Sequence, residues 1–222
     1  MVRQLIAHNE PKSAISEQYR NVRTNIDFAS VDKEIRSVII TSSGPSEGKT
    51  TTTANLAVVF AQQGKKVLLM DADMRKPALH SMFDIENRLG ITAVLSKQAT
   101  LKECVYATKI ENLDFMPCGA IPPNPAELLS SKKMEELLQE AYAIYDLVII
   151  DTPPVLAVTD AQVLANIVDG IVMVVRSGQT EREAAIRAKG LLQSAKGKLL
   201  GVVLNAKKLK EQDYYYYYGS KK

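Results

Sequence analysis

The chain has no tryptophan, only two cysteines and only two histidines in 222 residues. Cys104 and Cys118 are too few for a disulfide framework, and no metal-type spacing joins them to His8 or His80. They read as free thiols of a reducing cytosol. No apolar stretch approaches the ~20 residues that span a bilayer, so no transmembrane helix is expected. Met1 to Pro11 holds no apolar signal-peptide core. Charge of one sign is also scarce: the net charge is +3, where a nucleic-acid binder usually shows a much stronger basic balance. An apolar content of 46% excludes a mostly disordered chain. The length suits one α/β domain with a sizeable core. Against the missing Trp stand nine Tyr. Tyr19, Tyr106, Tyr142 and Tyr145 are scattered. Tyr214, Tyr215, Tyr216, Tyr217 and Tyr218 form one run near the C-terminus, flanked by Lys207, Lys208, Lys210, Lys221 and Lys222. Neither a helix nor a strand puts consecutive side chains on one side, so no fold buries that run together.

Along the chain, residues 1–33 are polar, with one thinly amphipathic helix expected over Ser13 to Phe28. A regular alternation follows. Ser37 to Ser42 (SVIITS) is a β-branched apolar run, expected as a buried parallel strand. Thr50 to Gln63 reads as a helix stopped by Gly64. Further strands are expected at Lys66 to Met70, Leu113 to Met116, Asp146 to Ile150, Gly170 to Val175 and Leu199 to Leu204. Helices are expected at Lys132 to Ala143, with Ser131 as its cap and Glu135 near its start, and at Glu181 to Ala195. Strands alternating with helices imply a mostly parallel sheet covered on both faces.

The strongest motif lies between the first strand and the first long helix. Gly44-Pro45-Ser46-Glu47-Gly48-Lys49-Thr50 has the strand-to-helix context of a phosphate loop. Backbone N–H groups of such a loop and of the following helix N-terminus face phosphates, and the helix dipole favours negative charge. Gly48 permits close approach, Lys49 reaches the β- and γ-phosphates, and Thr50 offers a hydroxyl to Mg2+. Thr51 belongs to the same nucleotide-binding stretch. The chain departs from the signature at Ser43, where glycine is usual.

Ligands of an open parallel sheet gather at the C-terminal strand ends. Asp71 and Asp151 both end strands and are expected to converge there. Asp151, after LVII, reads as the acid that holds Mg2+. Asp71 and Asp73, in LLMDADMR, form a second acidic pair at a strand end. Metal holding alone does not need that pair, so it reads as a base or a group orienting a nucleophile. Asp71 also stands as a metal ligand beside Thr50 and Asp151. Phosphoryl transfer depends on positioning and charge neutralisation. Whether the acceptor hydroxyl belongs to water or to a side chain separates an ATPase from a kinase.

Taken together, these residues resemble the bacterial tyrosine kinases of capsule and exopolysaccharide systems, over nearly the whole chain. Ser43 to Thr50 is similar to that family's Walker A motif, Leu68 to Arg75 to its Walker A′ motif and Leu147 to Asp151 to its Walker B motif. Glu17, Arg20 and Arg23 match its ExxRxxR motif, and the Tyr run matches its autophosphorylated tail. By spacing alone those three residues lie along one side of a helix, which is more often a solvated face. The resemblance implies a single-domain P-loop NTPase fold of the MinD/ParA-like superfamily, spanning residues 34–206. It implies an N-terminal helical segment (residues 1–33) that mediates ring-like self-association, and a tail (residues 207–222) that is the substrate. It further implies ATP and Mg2+ as cofactors, tyrosine autophosphorylation between subunits, and adenine recognition at Asn205. A membrane adaptor would recruit the cytoplasmic chain to the inner face of the membrane. A tyrosine phosphatase and protein substrates are expected partners; nucleic acid is not. The competing reading is a MinD/ParA-type ATPase switch. Its signature Lys would fall at Gly44, and such proteins lack a terminal Tyr cluster.

Overall fold

The computed structural model describes residues 5–29 and 34–208. The tyrosine run, Tyr214 to Tyr218, lies outside the described residues. In chain order the elements are α1 (Ile6–Asn9), α2 (Ala14–Phe28), β1 (Ser37–Ser42), α3 (Lys49–Ala61), β2 (Val67–Asp71), α4 (His80–Phe83), α5 (Ile91–Leu95) and α6 (Leu101–Cys104). There follow β3 (Tyr106–Ala107), β4 (Leu113–Met116), α7 (Pro125–Leu129), α8 (Lys132–Tyr142), β5 (Leu147–Asp151), α9 (Asp160–Ala165), β6 (Gly170–Arg176), α10 (Arg182–Gln193) and β7 (Lys198–Asn205).

The strands form one seven-stranded sheet in the order β3-β4-β2-β5-β1-β6-β7. Every pairing is parallel except β3 with β4. The two-residue β3 has no periodicity to betray it in the sequence, and its antiparallel edge position departs from the expected alternation. Side-chain alternation divides the central strands between two cores. Ile39, Leu68, Met70, Val148 and Ile150 face one layer, with α5, α8, α9 and α10 packed on it. Val38, Ile40, Val67, Leu69, Leu147 and Ile149 face the other, with α3 and, outside it, α1 and α2. β1, β2 and β5 are buried along their whole length, which is why they read as unbroken apolar runs.

Helix ends follow local chemistry. Beyond α3, Gly64 takes φ +97° and donates to the Ala61 carbonyl at 2.9 Å, the left-handed stop expected of it. The expected cap of α8 is different. Ser131 Oγ donates back to the Leu128 carbonyl at 2.7 Å and does not cap the helix. The reason is spacing: a capping box needs its acid three residues after the cap, and here Met134 holds that place, with Glu135 one later. A complete box forms at Thr100 and Glu103 instead.

Candidate active site

Parallel pairing brings the C-terminal ends of β1, β5 and β2 together. Asp71 and Asp151 are register partners across β2 and β5, and Asp151 faces Ile40 of β1. The loop between β1 and α3 curls over these ends. Its backbone takes positive φ at Ser46 (63°) and Gly48 (93°). The dihedral at Gly48 favours glycine, and a Cβ added there would lie 2.0 Å from Asn205 Nδ2 and displace that amide from the loop. Among the described residues, the N–H groups of Ser46 to Thr51 have no hydrogen-bond partner within the chain. They stand at the N-terminus of α3, a group of donors suited to phosphate oxygens.

The loop is braced by contacts the motif does not announce. The Glu47 carboxylate accepts from Ser43 N (3.0 Å), from Ser43 Oγ (2.8 and 2.9 Å to its two oxygens) and from Thr180 Oγ1 (2.7 Å). Glu47 is 5% exposed. It therefore shapes the loop from within, and Ser43, the departure from the glycine signature, supplies two of its donors. Arg176 Nη1 donates to Ser46 O at 3.0 Å, and Asn205 Nδ2 to Glu47 O at 2.9 Å. Asn205 Oδ1 accepts from Ala206 N at 2.8 Å, so the residue assigned to adenine sits against the loop. Pro45 and Ser46 are exposed at the loop tip.

Lys49 opens α3 and turns its ammonium to the strand ends. Nζ lies 2.8 Å from Asp73 Oδ2, 3.4 Å from Asp151 Oδ2 and 3.2 Å from Thr50 Oγ1. Burial alone would lower this ammonium; the charges of Asp151 and Asp73 outweigh it and hold the group above its ordinary value. Asp151 accepts from Thr50 Oγ1 at 2.7 Å and Thr53 Oγ1 at 3.1 Å. Its burial raises its pKa, against the lowering effects of Lys49 and Thr50.

The two acids after β2 differ in surroundings. Asp73 faces Lys49, and its Oδ1 accepts from Lys76 N at 3.0 Å. Asp71 turns onto backbone N–H groups: Asp73 N at 3.2 Å, Ala78 N at 2.9 Å and Leu79 N at 3.0 Å. Burial first, and then the charge of Asp151, push Asp71 up to about 7, against those N–H donors and Lys49. Asp71 thus organises the turn that follows it. Asp73 is the carboxylate that pairs with Lys49, whose Nζ also reaches Asp151 and Thr50. Among the described residues, no three acidic, His or Cys side chains form a metal cluster. The arrangement fits a Mg2+ that takes most of its ligands from phosphates and water.

The α2 residues lie elsewhere. Glu17 and Arg20 form an ion pair, and Arg20 Nη2 also donates to Pro11 O at 2.6 Å. Arg23 leans inward, donating Nη1 to Val59 O of α3 at 3.1 Å. Its Nε is buried with no partner among the described residues. The 5–29 and 34–208 stretches hold no helix long and apolar enough to cross a membrane.

A family profile described as an AAA domain matches residues 35–184. The tyrosine-protein kinase YwqD of Bacillus subtilis (strain 168) is 59% identical over 221 residues, all of this chain and 93% of that protein. The putative tyrosine-protein kinase CapB of Staphylococcus aureus is 44% identical, over 97% of this chain and 95% of its own length. Among solved structures, the chimerical protein CapA2B2 superposes with a TM-score of 0.90 at 42% identity, over 94% of this chain and 92% of that one. The septum site-determining protein MinD of Pyrococcus horikoshii OT3, solved with Mg-ADP, reaches 0.68 at 27% identity, over 80% of this chain and 73% of that one. The likeness to MinD is one of nucleotide-binding sheet and loop; the likeness to the kinases runs through nearly the whole chain. This chain belongs to the bacterial tyrosine-protein kinases.

Proposed function

We propose that this chain transfers the γ-phosphoryl group of ATP to tyrosines of its own C-terminal run, Tyr214 to Tyr218, between subunits of an oligomer. The observation that carries the reading is the meeting of Lys49, Thr50, Asp73 and Asp151 beneath a loop whose N–H groups have no partner in the chain. The loop donors and Lys49 take the β- and γ-phosphates, Lys49 exchanging its carboxylate partners for phosphate oxygens. Thr50, Asp71 and Asp151 would hold Mg2+, which would supply neutralising charge on the phosphates. The tyrosine hydroxyl oxygen attacks the γ-phosphorus, the bond to the β-phosphate oxygen breaks, and ADP leaves. The phenol proton passes to a carboxylate of the Asp71–Asp73 pair. Asn205 and Thr51 border the nucleotide.

In the same reading, Glu17, Arg20 and Arg23 on α2 serve a ring-like assembly that presents one subunit's tail to the next. A membrane adaptor holds the cytoplasmic chain at the inner face of the membrane. A tyrosine phosphatase and further protein substrates complete a cycle that regulates capsular or exopolysaccharide synthesis and export. Support comes from the match to YwqD and CapB over almost their full lengths. A mixing experiment tests transfer between subunits. A Lys49→Met chain with an intact tail is mixed with a chain whose tail tyrosines are all Phe, and MgATP is added. Phosphate on the Lys49→Met tail is expected; a tail that stays unmodified, while the parent modifies its own, contradicts transfer in trans.

A further inference from the structure

The segment from Ala72 to Leu79 carries Asp73 to Lys49, yet it has no regular secondary structure before α4. Lys76 N pins it from inside by donating to Asp73, and Ala78 N and Leu79 N tie its far end back to Asp71 at the end of β2. Besides Asp73 on Lys49, a second charged contact ties it to the rest of the molecule. Arg75 Nε donates to Asp160 Oδ2 and Nη2 to Asp160 Oδ1, both at 3.0 Å. Asp160 opens α9 and its side chain is 0% exposed, while that of Arg75 is 42% exposed. A two-pronged guanidinium–carboxylate contact fixes orientation as well as distance. The buried partner cannot turn to water, so the direction of the fork is set by Asp160 and followed by Arg75. Arg75 stands next but one to Asp73, so its anchoring sets where Asp73 lies.

We propose that Asp160 is a positioning residue for phosphoryl transfer, holding Ala72–Leu79 through Arg75 so that Asp73 stays on Lys49. The phosphate loop is braced separately, by Glu47, Arg176 and Asn205. Loss of the fork therefore affects turnover and leaves nucleotide binding nearly as it was. The inference rests on the phosphoryl-transfer reading for its rate arm alone; its second arm is read on nucleotide-free protein.

The test uses Asp160→Asn and Arg75→Lys in the full chain. Arg75→Lys changes a partly exposed side chain and guards against a buried variant that does not fold; it keeps the charge and loses the fork. Both are expected to lower kcat for ADP formation about tenfold or more, since small misplacements of positioned groups cost that much. The KM for MgATP should stay within about threefold of the parent. In nucleotide-free protein, amide exchange at Ala78 and Leu79 should quicken about tenfold while that of the α3 core is unchanged. In an Asp73→Asn background, Asp160→Asn should cost less than about twofold more, because the two act as one unit. Unchanged exchange at Ala78 and Leu79 overturns the proposal, as does full activity in Arg75→Lys or an additive loss in the double variant. Faster exchange without tyrosine phosphorylation in the parent would leave the anchoring standing and remove the kinase reading instead.

Discussion

Lys49→Met removes an ammonium that the phosphate-loop motif assigns wholly to nucleotide. From the motif alone the variant should lose phosphoryl transfer and keep its fold. The structure adds a cost to stability. Lys49 Nζ lies 2.8 Å from Asp73 and 3.4 Å from Asp151, whose side chains are 7% and 1% exposed. Removing one member of a buried ion pair costs about 3–5 kcal/mol. Thr50 and Thr53 still donate to Asp151 in the variant, so the low end applies, about 3 kcal/mol. For a chain of this size that is a fall in Tm of about 6–12 °C. The sign with pH follows from protons bound. Lys49 lowers the pKa of both Asp71 and Asp151 in the parent; without it both rise further above their unfolded values. The folded variant then keeps protons that its unfolded chain has released. Its stability declines as pH climbs from the ordinary carboxylate range through those raised values, and levels off beyond them. Thermal unfolding followed by circular dichroism at pH 5.5 and pH 8, without nucleotide and with a chelator, should show the larger deficit at pH 8. Adding Asp73→Asn should recover part of it. A variant as stable as the parent, or a deficit equal at both pH values, would refute the argument from charge.

Ser43→Gly restores the residue usual in the signature, yet it should weaken nucleotide binding, because Glu47 loses its Ser43 Oγ donor; calorimetric titration with MgADP should show a Kd raised about threefold or more. Gly48→Ala should abolish measurable MgADP binding in the same assay, since the added Cβ meets Asn205 Nδ2 at 2.0 Å on a backbone of φ +93°. Arg20→Ala with Arg23→Ala should lower the oligomer mass seen by light scattering, and an unchanged mass would remove those residues from the interface. The same pair should also lower Tm by a few degrees, as Arg23 loses the Val59 carbonyl at about 0.5–1.5 kcal/mol.

Much of the sheet is written in short range. β1, β2 and β5 are continuous apolar runs because both faces are covered; the bounds of β1 are as expected and those of β2 and β5 are shifted by one residue. That residue matters at Asp71 and Asp151, which belong to the ladder's last rung and are thereby held in register. The strand–loop–helix turn at Gly44 to Thr50 was legible because its motif is local in sequence. The brace around it was not: Glu47 meets Thr180 and Asn205 meets Glu47 only after β6 and β7 are laid beside β1. Ser43 carried a signal, a hydroxyl where glycine is usual. Asp71 and Asp73 could not be told apart in sequence, since their difference lies in which carboxylate the turn at Ala78 and Leu79 captures. Arg75 stood in its motif with no partner named, and Asp160, far along the chain, has no local pattern that points to it.

The central claim is that the tail is the substrate of this site. The direct measurement is a phosphate map by mass spectrometry of the purified chain after incubation with MgATP, with and without a peptide of the adaptor's cytoplasmic end, beside Lys49→Met. Phosphate is expected on the run Tyr214 to Tyr218 in the parent and none in Lys49→Met alone. A parent whose five tail tyrosines all stay unmodified under both conditions would contradict it.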